Sequence, residues 1–506
     1  MISKLLVANR GEIARRIVRS AHAMGISCVA VCSDPDAAWP LVAEADEVVR
    51  LPGAVPADTY LRAELLVDAA RRTGADAVHP GYGFLSENAG FARACDEAGL
   101  VFVGPPARVI ESMGSKLAAK ATMAAAGVPV LPTVEIPADA AGDNPSLTEQ
   151  AEALGWPLLV KASAGGGGRG MRIVTEPGGL PEALASAGRE ALSAFGDATV
   201  FLEPYVTRPR HVEVQILGDT HGTVIHLFER ECSIQRRHQK IVEESPSPAV
   251  DEALRAAMGA AAVTAAKAIG YVNAGTVEFL LLPDGRFAFL EVNTRLQVEH
   301  PVTELVTGLD LVRLQLLVAE GRPLPDEVLD VHPSGHAVEV RLYAEDATRS
   351  WQPSAGKLWR FELPEGPGLR VDSGVESGTE VSAHYDPMLA KVIAWAPTRA
   401  EAARRLAGAL AGACIHGVTT NRDLLVRILR HDEFLRGDID TAFLERHDPA
   451  ELGAPLAGPD GTRLHALAAA LAGQAERRAT APVLGAMPSG WRNNPAGLQE
   501  TQLSGR

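Results

Sequence analysis

The chain has 506 residues, is 46% hydrophobic and 22% charged, and carries a net charge of −15. That length is too great for one core and implies roughly three domains of about 150 residues each, with the composition of an ordinary globular protein. The acidic balance excludes nucleic acid as the main partner, because binding phosphate backbones needs a basic footprint; an anionic small substrate stays open, since local basic groups decide such a site.

Residues 3–8 predict a short buried strand, and GEIARRIVRSAHAMG follows with helical period and a closing Gly25. The apolar run before Asn9 is only four residues long, so no signal peptide is expected. CVAVCSD reads as a second strand, residues 60–73 as a helix, and ADAVHP as a strand. HPGYGFLSENAGFARACDEAGL reads as a loop and helix, and VFVGP as a further strand. Strands alternating with helices predict a parallel α/β sheet up to about residue 105. The first turn, ANRGE, lacks G-x-G-x-x-G, so no dinucleotide site is expected there.

A helix around Lys116 leads to GVPVLP, a linker, and then to GWPLLVKASAGGGGRGMRIV. Here a strand enters a glycine-rich loop and a second strand leaves it. No helix follows whose N-terminus could take a pyrophosphate, and G-K-[ST] is absent, which excludes the dinucleotide and Walker A readings. A loop of this kind can fold over triphosphates with its backbone N–H groups facing the oxygens, and that reading is preferred to a bare surface loop. Lys161 lies just ahead of it.

Residues 182–195 predict a helix, VFLEPYV a strand, and HVEVQILGD another with strict alternation. ECSIQRRHQKIVEESP packs Arg236, Arg237, His238 and Lys240 into five positions. Such a cluster either anchors anions or forms a solvated face balanced by Glu243 and Glu244. After a helix at 251–269, AGTVEFLLLPDGRFAFLEVNTRLQVEHP reads as a β-hairpin turning at Pro283-Asp284-Gly285. With a two-residue turn at Asp284-Gly285, Glu278 faces Glu291, and period two puts Glu291, Asn293 and Arg295 on one face and Ala288, Leu290 and Val292 on the other. Facing carboxylates repel unless a cation lies between them. Two carboxylates and an amide are hard oxygen ligands suited to Mg²⁺ or Mn²⁺. An amphipathic hairpin with a wet polar face is the alternative, and a three-residue loop would shift the register by one.

ELVTGLDLVRLQLLVAEG then predicts one helix, and HAVEVRLYAED a strand with Glu339 and Arg341 on one face. Residues 350–395 predict a small β segment, followed by helices at 398–413 and 420–431. The composition shifts beyond His447, with one helix at 464–479 and a tail, 480–506, expected to be poorly ordered. No stretch reaches the ~18 apolar residues of a membrane span. The five cysteines (28, 32, 95, 232 and 414) are scattered and odd in number, so reduced thiols and a cytoplasmic setting are expected. Only eight of the 48 basic residues are Lys, a bias that leaves some of those Lys where a compact point charge is wanted.

Taken together, ANRGEIA, HPGYGFLSEN, KASAGGGGRGM, ERECSIQRRHQKIVEESP and FLEVNTRLQVEHPVTE resemble the ATP-grasp fold and, more narrowly, the biotin carboxylase component of biotin-dependent acyl-CoA carboxylases. The resemblance covers residues 2 to about 447. It implies a mixed α/β and α+β architecture: an N-terminal Rossmann-like (pre-ATP-grasp) domain at 1–114, a glycine-rich lid with linker at 115–205, and the ATP-grasp core with the C-terminal biotin carboxylase domain at 206–447. Residues 448–506 resemble the start of a bridging region.

The roles it implies are as follows. Lys116, Lys161, Gly167, Gly168 and His211 contact nucleotide phosphates or ribose. Glu203, Pro204, Tyr205 and Val206 form the hinge that receives adenine, with Gln235 and His238 near the ribose. Glu278, Glu291 and Asn293 hold Mg²⁺ or Mn²⁺. Lys240, Arg295, Gln297, Val298 and Glu299 surround bicarbonate, and Arg341 lies where carboxyphosphate and biotin meet. In that scheme Glu299 deprotonates bicarbonate, the lysines and metal neutralise charge at the γ-phosphate of ATP, and Arg295 stabilises the enolate-like biotin.

The implied partners are a biotin carboxyl carrier, a carboxyltransferase component and a second copy of the chain through a face carrying Arg16 and Arg19. No A-M-K-M and no Lys follow Lys391, so the carrier is expected on another chain or on a longer form of this one. Another bicarbonate-activating ATP-grasp ligase and a silent scaffold subunit are the competing readings. Against the second, Lys240, Arg295 and Glu299 are all present.

Overall fold

A computed structural model of the chain describes residues 1–136, 145–163, 171–237 and 239–480. Three sheets position everything that follows. The first contains β1 (Lys4–Val7), β2 (Ser27–Cys32), β3 (Glu47–Arg50), β4 (Ala77–His79) and β5 (Val101–Phe102). Its order is β3-β2-β1-β4-β5 and all pairs are parallel, as the alternating pattern predicts. The helix Gly11–Ala23 packs Ile13 and Ile17 into a core shared with Leu296, Leu311 and Leu314. That shared core fixes the N-terminal sheet against the rest of the molecule.

The second sheet is antiparallel and small: β6 (Val134–Ile136), β7 (Leu158–Ala162), β8 (Arg172–Val174) and β9 (Val200–Pro204), in the order β6-β9-β7-β8. The helix Leu180–Phe195 closes its own apolar cluster through Leu180, Leu184 and Ala187. The loop between β7 and β8, with Gly167 and Gly168, and likewise His238 and the tail beyond residue 480, lie outside the described residues.

The third sheet is the frame of the molecule. It comprises β10 (Arg210–Gly218), β11 (Val224–Arg236), β12 (Gln239–Ser245), β13 (Asn273–Leu281), β14 (Phe287–Asn293), β15 (His336–Tyr343), β16 (Leu369–Ser373) and β17 (Met388–Ala396). The order is β14-β13-β10-β11-β12-β15-β17-β16, antiparallel throughout. One face carries the helix Glu252–Ala268 at the β10–β13 end and the helices Arg399–Gly412 and Arg422–Arg430 at the other. The opposite, polar face carries the charged groups described below. Residues 350–395 are therefore not a separate β segment, because their two longest strands extend this sheet.

Two expectations change in detail. The stretch predicted as one helix is two, His300–Thr307 and Leu311–Ala319. Gly308 takes a left-handed φ of +73° and Asp310 caps the second helix by accepting from the Arg313 N–H. Periodicity continues across such a break and hides it. The hairpin loop has three residues: Leu282 N–H donates to Arg286 O, and Gly285 takes φ +84° at the third loop position. That shift alone would separate Glu278 from Glu291. A bulge at Leu290 restores the register, so Glu278 still pairs with Glu291 and Thr276 with Asn293. The bulge also changes the apolar face, which is Phe287, Phe289 and Val292 rather than Ala288, Leu290 and Val292.

Candidate active site

Strand register assembles the site. Glu291, Glu278, Glu213 and Arg230 fall opposite one another across β14, β13, β10 and β11, with Asn293, Thr276 and Gln215 in the neighbouring row. Period two along HVEVQ puts His211, Glu213 and Gln215 on this same face. Lys240 enters from β12. Its Nζ lies 2.5 Å from Glu213, 2.6 Å from Glu299 and 2.9 Å from Glu278, and all four groups are buried. Arg230, fully buried, balances the far side by pairing with Glu213 and donating to Gln215, Thr276 and Thr303.

Glu299 is held at both oxygens, by Lys240 and by Arg341 Nη2 at 2.9 Å. Arg341 also donates to Glu243 at 2.6 Å. Burial works against ionisation of Glu299, yet Lys240, Arg341 and Arg230 outweigh it and hold the carboxyl well below the usual range. Glu243 goes the other way: burial pushes its carboxyl up to about 7 against the pull of Arg341. Two carboxylates about one guanidinium thus have well-separated affinities for a proton.

Gln235 Nε2 donates to His211 Nδ1 at 2.7 Å, which leaves Nε2 to carry the proton towards Glu278 Oε2, 2.9 Å away. Burial lowers the His211 pKa, but Glu278 reverses this and the net shift is upward. Glu278 moves oppositely: burial raises it, and Lys240 and His211 take it far below its ordinary value. Glu291, across the hairpin, is raised by burial and by Glu278. This mutual opposition is the fit expected of residues that share a divalent cation, since a cation between them would favour both ionised forms. Asn293 accepts from Arg295 at 2.9 Å, while its Nδ2 is buried with no hydrogen-bond partner among the described residues.

Arg295 is fixed by four groups: Glu87 at 2.9 Å, Gln297 at 2.6 Å, Asn293, and the Leu296 carbonyl at 3.3 Å. Glu87, Lys116, Glu291, Asn293, Thr294 and Arg295 line a cavity of about 320 Å³. Lys116 opens the helix Lys116–Ala125, which Ser115 caps, and its N–H donates to Ser163 O. Lys161 Nζ lies 2.8 Å from Glu203, which also pairs with Lys120. The Glu203 carboxylate is thus occupied by ammonium groups. The Tyr205 N–H is occupied as well, by Pro157 O; of the expected hinge, Glu203 and Pro204 end β9, and Tyr205 and Val206 lie between β9 and β10.

The basic run at 236–240 is not one cluster. Lys240 points into the carboxylates, whereas Arg236 stacks on Trp351 and pairs with Glu345, and Arg237 sits exposed at a left-handed turn. Arg16, expected on a face between subunits, is buried against Glu304 and Asp310 within the chain, and only Arg19 is exposed. Sequence reasoning also missed Glu213, Arg230, Glu243 and Glu87. Glu213 carried a signal, the alternation of HVEVQ. Arg230 carried none, because its four partners come from three separate segments, β10, β13 and the helix His300–Thr307.

Comparisons with known proteins place the chain in a family. Residues 1–110 match the family "biotin carboxylase, N-terminal domain", 115–327 match "carbamoyl-phosphate synthase L chain, ATP binding domain", and 339–446 match "biotin carboxylase C-terminal domain". A biotin carboxylase of Halalkalibacterium halodurans is 49% identical over 90% of this chain and 99% of its own length. The mitochondrial methylcrotonoyl-CoA carboxylase subunit alpha of Arabidopsis thaliana is 48% identical over 92% of this chain, which spans 63% of that relative's length. Among solved structures, the biotin carboxylase domain dimer of Hydrogenobacter thermophilus 2-oxoglutarate carboxylase, in complex with MgADP, ADP and bicarbonate, aligns with a TM-score of 0.84 and 44% identity. The alignment covers 89% of this chain and 98% of that one. The chain belongs to the biotin carboxylase family and has the ATP-grasp fold.

Proposed function

We propose that this chain carboxylates biotin, presented on a carrier protein, using ATP and bicarbonate through carboxyphosphate, as the first half-reaction of an acyl-CoA carboxylase. The observation that carries the proposal is the suspension of Glu299 between Lys240 and Arg341, next to the Arg295–Gln297 pair. An anion entering beside Lys240 competes with Glu299 for that ammonium. The carboxylate, a weak base while fully paired, gains basicity at the moment bicarbonate must lose its proton. Lys116 and Lys161 neutralise phosphate charge, aided by Gly167 and Gly168 of the lid. Glu203 to Val206 receive adenine, and His211, Gln235 and His238 lie at the phosphates and ribose. A divalent cation held by Glu278, Glu291 and Asn293 would supply charge neutralisation at the triphosphate. Val298 contributes to the bicarbonate site, Arg295 steadies the deprotonated ureido group, and Arg341 orients it.

The proposal keeps the division at residues 114, 205 and 447. It also includes a carrier and a carboxyltransferase as partners, and a homodimer or larger complex. A cytoplasmic setting fits the five free cysteines; among the described residues no helix is long and apolar enough to cross a membrane. The test is ADP release dependent on both bicarbonate and free biotin. Glu299→Gln and Arg295→Ala are expected to lower it by about 10²-fold or more. ATP cleavage indifferent to biotin in the folded wild-type chain would overturn the proposal.

A further inference from the structure

Lys391 has no place in the chemistry above, yet it is a fully buried cation beside it. It lies on β17, directly opposite Arg341 of β15. Its Nζ donates to the Val298 carbonyl at 2.7 Å and lies 3.2 Å from Glu12 Oε1. Glu12, in the first turn of the helix Gly11–Ala23, is buried too, and the same oxygen accepts from the Tyr82 hydroxyl. Three chain segments far apart in sequence therefore meet at one ammonium group.

The consequence lies in peptide geometry. A trans peptide points its C=O and the following N–H in opposite directions. Gln297 O accepts from His300 Nδ1 at 2.7 Å, and Val298 O accepts from Lys391. Both carbonyls are therefore turned towards buried donors, and the N–H groups of Val298 and Glu299 are turned away from them. Neither N–H has a hydrogen-bond partner among the described residues. Successive N–H groups on one side of the backbone form an anion-binding concavity.

We infer that Lys391, braced by Glu12, is a positioning residue for bicarbonate: by holding the Val298 carbonyl it presents the Val298 and Glu299 N–H groups to the anion. This rests on the functional proposal above, since it needs bicarbonate at the 297–299 segment. It predicts a selective defect. Without the ammonium the Val298–Glu299 peptide is free to rotate, while the nucleotide side, built on β7, β9 and β13–β14, is untouched.

The experiment uses the whole chain and measures biotin-dependent ADP release while bicarbonate and ATP are varied separately. Lys391→Met is expected to raise the bicarbonate KM about tenfold, the scale of one charge-assisted hydrogen bond, and to leave the ATP KM within about twofold. The double variant Glu12→Gln/Lys391→Met removes both charges, so it avoids an unpaired buried carboxylate, and it should show the same split. Unchanged bicarbonate KM in folded variants overturns the inference, as does a parallel change in both KM values. Loss of folded protein in both variants assigns the pair a purely structural role and overturns it too. Wild-type protein without biotin-dependent turnover would instead sink the functional proposal, so the two failures are distinguishable.

Discussion

Lys240→Met tests the charge arrangement that the site depends on. The ammonium lies within 2.9 Å of Glu213, Glu278 and Glu299. After its removal Arg230 still covers Glu213 and Arg341 still covers Glu299, but among the described residues Glu278 keeps only His211 and Gln297. Breaking a buried ion pair from one side costs about 3–5 kcal/mol, because the remaining charge stays desolvated. For a unit the size of the one built on the large sheet, that lowers Tm by roughly 6–10 °C.

The loss also has a pH signature. In the wild-type chain the folded pKa of Glu278 is depressed, so its contribution is present above the unfolded value of about 4.3 and is lost only as pH falls through the folded value. In the variant, burial acts with less opposition and the carboxyls rise above their unfolded values. The penalty is then complete at high pH and is relieved as the pH falls and protons are taken up. Scanning fluorimetry at pH 5.5, 7 and 8.5 should show a Tm gap that is widest at pH 8.5 and narrowest at pH 5.5. A gap that is constant, or widest in acid, would refute the reasoning.

Three further outcomes are expected. Arg341→Gln frees one oxygen of Glu299 and leaves Glu243, already near 7, more readily protonated; biotin-dependent ADP release should fall by about 10²-fold, with nucleotide binding by calorimetry unchanged. Glu291→Gln removes one of two facing carboxylates, so the Mn²⁺ concentration for half-maximal activity should rise at least about tenfold, and an unchanged value would remove Glu291 from the metal set. Gly308→Ala places a side chain at φ +73° with no atom near enough to clash, so strain alone should cost about 1–2 kcal/mol and lower Tm by a few degrees.

Much of the site was legible because it lies on strands, where the period of two assigns faces without knowledge of the fold. The facing pair Glu278 and Glu291 was read from a two-residue turn, and it survived only because the Leu290 bulge cancels the extra loop residue. A bulge of this kind leaves no trace in an apolar run such as FAFL. The break at Gly308 was likewise hidden, since apolar spacing continues through it. The run Arg236 to Lys240 stayed ambiguous for a different reason. Its members part company only when β12 pairs with β15 and Trp351 arrives to cover Arg236.

The amino-acid sequence by itself determined the kinds of element, the parallel N-terminal sheet, the hard-oxygen hairpin and the family motifs, because each depends on neighbours a few residues away. Only the tertiary structure decided which charges cancel. Lys240 finds carboxylates 27, 38 and 59 residues away, Lys391 finds a carbonyl 93 residues away, and Arg295 is fixed by Glu87, 208 residues away. A buried charge takes whatever partner the packed core brings to it, and no local pattern encodes that choice.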